Sequence, residues 1–123
     1  MNKKIVLASI ILSAFLLVFA TNVVDSAPAP KPMKGKIVSL EDVIKSKKDL
    51  QLTKDKAKEL RELGVPLVFQ YNKKIYFVQH EDGAFAFNKL ADYAHNKNIG
   101  IVGKIKTVNG INVIIMSKIE SMD

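Results

Sequence analysis

The residues best placed to do chemistry in this 123-residue chain are aromatics interleaved with lysines, in the run Phe69-Gln70-Tyr71-Asn72-Lys73-Lys74-Ile75-Tyr76. An aromatic ring beside a cation can stack on a base or sugar while the cation meets an anionic group. Alternation along a strand turns half of these side chains inward. Phe69 and Phe77 are read as core, which leaves Tyr71, Lys73, Lys74 and Tyr76 as the ligand-binding candidates.

The other reactive side chains are sparse. His80 and His95 are the only histidines, and His80-Glu81-Asp82 precedes a glycine, so it reads as a solvated turn more naturally than as a metal site. The carboxylate pairs Glu41-Asp42 and Glu81-Asp82 are adjacent in sequence, which does not bring them across a cleft for acid–base work. No phosphate-cradling glycine loop or serine elbow is present, and with no cysteine there is no thiol redox or zinc–thiolate chemistry. The reading is therefore no enzyme, no cofactor and no metal. Lys104 and Lys106 share one face of a late strand, where they extend a basic stripe or guard an edge against aggregation.

The elements that must carry these residues begin with an address. Lys3 and Lys4 precede an apolar run from Ile5 to Ala20, and Val18-Phe19-Ala20 offers small residues for cleavage, so residues 1–20 read as a secretory signal. The chain is then exported, periplasmic or extracellular, and meets the membrane only if the signal stays uncleaved. Residues 21–33, with Ala27-Pro28-Ala29-Pro30-Lys31-Pro32, read as an Ala/Pro-rich extended tether. Residues 34–123 form the domain. Without the signal, Lys plus Arg falls from 19 to 17 against 12 Asp plus Glu, a net charge of +5. That dispersed excess suits an anionic polymer or an envelope protein and disfavours nucleic acid.

Within the domain, Lys36 to Leu40, continuing through Val43 and Ile44, predicts a first strand with a bend. Thr53 caps a helix from Lys54 to Leu63 with Ala57, Leu60 and Leu63 on one stripe, and Gly64 closes it. Leu67–Tyr71 and Lys74–Gln79 form a hairpin around Asn72-Lys73. Phe87, Leu90, Ala91 and Ala94 mark a second helix that ends around His95 to Lys97. Ile99 to Ile119 is a hairpin around Asn109-Gly110, with Gly100 and Gly103 marking a bend or close approach. The fold class is mainly β with two short helices (α+β), an OB-fold-like five-stranded Greek-key barrel with an extra helix between the first two strands.

Lys74-Ile75-Tyr76-Phe77, Lys89-Leu90-Ala91-Asp92-Tyr93-Ala94, Ile101-Val102-Gly103-Lys104 and Gly110-Ile111-Asn112-Val113, through Lys118-Ile119-Glu120, resemble a group of small exported bacterial domains of OB-like type. The resemblance covers roughly residues 50–120 and implies a fold more than a function. Some members carry a His and two Cys in the segment matching Thr53 to Gly64; here Thr53, Lys56 and Leu60 stand in those places. The resemblance thus implies the scaffold helix without its metal or redox site. The expectation is an exported, non-catalytic binding module of the cell envelope for a polymer or protein ligand, or else a structural or accessory subunit of an envelope complex.

Overall fold

The computed structural model describes residues 30–123, so the signal segment and most of the tether lie outside the described residues. Lys31–Asp123 forms its own unit. It contains five strands and three short helices. No helix among the described residues is long and apolar enough to cross a membrane.

Strand β1, Met33–Ser39, takes in the last residue assigned to the tether. It pairs with two neighbours in turn, through Met33 to Gly35 on one side and Lys36 to Ser39 on the other. Gly35 sits at the changeover because a Cβ there would meet the Gln70 carbonyl oxygen at 2.2 Å and the Phe69 ring at 2.8 Å.

The chain then departs from the expected bent strand. Leu40–Ile44 is a single helical turn, α1, so there are three helices instead of two. The Leu40 N–H donates to the Pro66 carbonyl, Glu41 and Asp42 occupy the first turn, and Lys45 Nζ bonds Glu41 Oε1 at 2.6 Å. Ile44 is left exposed, so its β-branched character has no sheet to serve.

Helix α2, Lys54–Leu63, forms as its caps require. Thr53 Oγ1 accepts from the Lys56 N–H at 3.1 Å, and Gly64 closes the helix with a left-handed φ of 75°. Ala57 and Leu60 are buried, but Leu63 is exposed. Steps of three residues fall short of a full 3.6-residue turn, so the stripe drifts off the buried face by its third member.

Strands β2, Leu67–Tyr71, and β3, Lys74–His80, are joined by Asn72-Lys73, and β4, Ile99–Val108, and β5, Ile111–Ser121, by Asn109-Gly110. Between the hairpins lies helix α3, Phe87–Tyr93, which stops short of the expected end but buries Leu90 and Ala91, with Ala94 just beyond it. The strands pair in the order β1-β2-β3-β5-β4, and β4 returns to β1; β3 and β5 run parallel and the other pairs antiparallel. The β4–β5 register shifts between Val102 and Gly103. A Cβ at Gly103 would lie 2.2 Å from the Ile115 carbonyl oxygen, so the close approach expected there is real. Ile37, Leu67, Phe69, Val78, Leu90, Ile99, Ile101 and Ile114 fill the ring, with Ala57 and Leu60 of α2 closing onto them.

Candidate functional site

The turn Asn72-Lys73 determines what β2 and β3 can display. A two-residue loop places Tyr71 opposite Lys74, and therefore Gln70 opposite Ile75 and Phe69 opposite Tyr76. Phe69 is fully buried, so Tyr76 is carried into the core with it and is only 5% exposed. Tyr71 is half-buried, its ring 6.3 Å from Phe69 and 6.1 Å from Tyr76. Lys73 and Lys74 are exposed, Lys73 in the turn and Lys74 across from Tyr71. The four proposed ligand residues therefore do not form one exposed aromatic–cation face: two rings pack inward and two lysines remain outside.

Phe77 corrects the complementary expectation. It follows Tyr76, so alternation turns it outward, and it is half-buried outside the core cluster. Counting across the two-residue turn from Phe69 was the signal that could have shown this: Phe69 and Phe77 cannot both point inward.

Phe77 opens onto a trough. It is paired with Val113 of β5, which is paired with Lys106 of β4, so all three share a cross-strand row. Phe85 reaches the same place because the loop after β3 folds back, with His80 and Ala84 joined by a backbone bond and Gln79 bridged to Phe85. The Asp82 carboxylate secures that loop by accepting the Ala84 N–H at 2.9 Å. Its oxygen is thus spent on a turn, and among the described residues no three His, Asp or Glu side chains group as metal ligands.

The rings are ordered against one another. Phe85 lies edge-on to Phe77 at 6.0 Å and stacks flat on Phe87 at 5.2 Å, within the range favoured by aromatic pairs. Val108 and Ile111, from the tip of the β4–β5 hairpin, line the opposite side, and the trough encloses about 330 Å³. Phe85, Val108 and Ile111 are each about half exposed, at 52%, 46% and 51%. Gln79, Asn109 and Lys106 supply the polar rim. No family model, curated protein or solved structure matches the chain. The site is therefore defined by its own geometry.

That geometry provides contact surface and hydrogen-bonding groups. The first carboxylate pair is committed to α1: Lys45 donates to Glu41 and holds its carboxyl below the usual range, while Lys47 lies 3.3 Å from Asp42. Asp123 is likewise lowered, chiefly by accepting the Lys97 backbone N–H. Both shifts arise from contacts that hold local structure together, away from the trough lining.

Proposed function

We propose that this chain is an exported, non-catalytic binding module of the bacterial cell envelope, and that the trough beside Phe85 receives a polymer or protein ligand. The cyclic strand order, the parallel β3–β5 pair and the helix between β3 and β4 support reading the ring as an OB-fold-like Greek-key barrel. On such a barrel, the face of the second and third strands and the loop between the fourth and fifth are the usual binding surface. The trough lies on β3 and the β4–β5 tip.

The carrying observation is the exposed Phe85 ring, held by Phe77 and Phe87 above an apolar floor with a polar rim. Apolar surface gathered in this way and rimmed by polar groups marks an interaction site. Phe85→Ser removes the ring from a partly exposed loop, so retention on arrays of extended peptides and oligosaccharides should fall at least about tenfold, as loss of one anchor does, while the domain stays folded with a modestly lower Tm. Retention unaffected by the substitution, or none by the wild type, contradicts the reading.

The alternative, an accessory subunit, is supported by the open side of β4. Among the described residues β1 covers β4 only from Ile99 to Ile101, which leaves Val102 to Val108 available for an added strand. Lys104 and Lys106 on that stretch oppose such pairing, which favours the trough.

A further inference from the structure

A second recess lies on the same outer surface, across β1 and β2. Lys34 and Lys36 project from alternate positions of β1, Lys73 comes from the β2–β3 turn, and Lys97 comes from the loop before β4. With the amides of Gln70 and Asn72 they line a hollow of about 470 Å³ that has no carboxylate in its lining. Among the described residues, none of these four lysines makes an ion pair, although five such pairs form elsewhere. The carboxylate at its edge, Asp123, is bonded to the Lys97 and Asn98 backbone N–H groups, so the four lysines remain in excess. Like charges in excess raise the local potential and oppose folding unless an anion joins them.

The backbone at Lys73 points the same way. Its φ is +63°, the left-handed conformation that glycine adopts freely and a lysine adopts at a cost. Strain held at one residue of a charged recess points to a role for its side chain. We infer that this recess binds a polyanionic chain, its lysines neutralising successive phosphate-type groups while Gln70 and Asn72 donate to their oxygens. A hollow lined from three separate segments, β1, the β2–β3 hairpin and the loop before β4, suits a chain entering it better than a flat membrane surface. The inference extends the binding-module reading to a second region and does not depend on the trough.

The test uses Lys31–Asp123, a compact unit with its own hydrophobic core, and long-chain inorganic polyphosphate. Three to four neutralised charges predict an affinity that falls about 20- to 50-fold between 50 and 200 mM salt. Lys34→Gln/Lys36→Gln/Lys73→Gln should weaken binding at least about tenfold at low salt and flatten the salt slope by about 2. Lys48→Gln/Lys54→Gln/Lys58→Gln, which removes the same charge elsewhere, should stay within about threefold of wild type by the same logic. Phe85→Ser should leave polyphosphate binding unchanged, which separates failure of this site from failure of the trough. Equal losses in the two lysine variants, orthophosphate binding as tightly as polyphosphate, or capture by phosphatidylglycerol vesicles without polyphosphate binding would each overturn the inference.

Discussion

The turns Asn72-Lys73 and Asn109-Gly110 have the same length and the same backbone form, with φ of 55° and 63° in one and 52° and 82° in the other. Both connect antiparallel strands through the conformation that matches strand twist. They differ in the second residue. Glycine at 110 takes positive φ without a Cβ to obstruct it, whereas Lys73 takes it against its own side chain. The first turn thus keeps a charge where the fold alone would favour glycine, and the second follows the fold's preference and bears the apolar tip of the trough. One turn thus contributes a charge to the basic recess, and the other holds the hairpin tip that contributes Val108 and Ile111 to the trough.

The largest expected effect comes from crowding the β4–β5 hairpin that carries the second turn. Gly103→Ala should destabilise the protein by about 3 kcal/mol, the upper end for overpacking, because its Cβ would fall 2.2 Å from the Ile115 carbonyl oxygen. Denaturant unfolding reads this directly, and an unchanged midpoint would mean that the register shift at Val102/Gly103 does not depend on glycine. Next in size, Gly110→Lys makes the second turn resemble the first and should cost about 1 kcal/mol in the same assay.

The smallest effect concerns the edge of the basic recess. Asp123 accepts the Lys97 and Asn98 backbone N–H groups at 2.9 Å each, which lowers its carboxyl below its ordinary value of 3.8. A lowered folded value means that the stabilisation is fully present above the unfolded pKa and is lost as pH falls through the folded one. Exchange of the Lys97 and Asn98 amides should therefore accelerate, relative to intrinsic rates, only at acid pH, and Asp123→Asn should abolish that acid-dependent change.

The scaffold was largely legible from local chemistry. Thr53 and Gly64 mark the ends of α2, and Asn72-Lys73 and Asn109-Gly110 mark the hairpins, because caps and tight turns are decided by neighbouring residues. Local chemistry hides α1, because Val43 and Ile44 look β-prone while the Leu40–Pro66 backbone bond that directs the chain joins residues far apart in sequence. Residue type alone puts Phe77 inside and Tyr76 outside, the reverse of the faces they take. The turn's register, which was already legible, settles their parity.

The basic recess was the hardest to see. Lys34, Lys36 and Lys97 have nothing local in common with Lys73, and only ring closure through β1, β2 and β4 gathers them. The trough was equally hidden, since Phe85 meets Ile111 and Val108 through the parallel β3–β5 pairing.

The measurement that most directly tests the contrast between the turns is Lys73→Gly, read for thermal stability and polyphosphate affinity in the same preparation. Relief of the left-handed strain should exceed the added chain entropy by about 0.5–1 kcal/mol, raising Tm by about 2–6 °C. The lost charge should weaken polyphosphate binding about threefold or more at low salt, while Lys73→Arg retains it. A more stable protein that binds less well is the predicted result; a variant that binds as tightly as wild type, or that gains no stability, would contradict the claim that Lys73 is held in its strained turn for its charge.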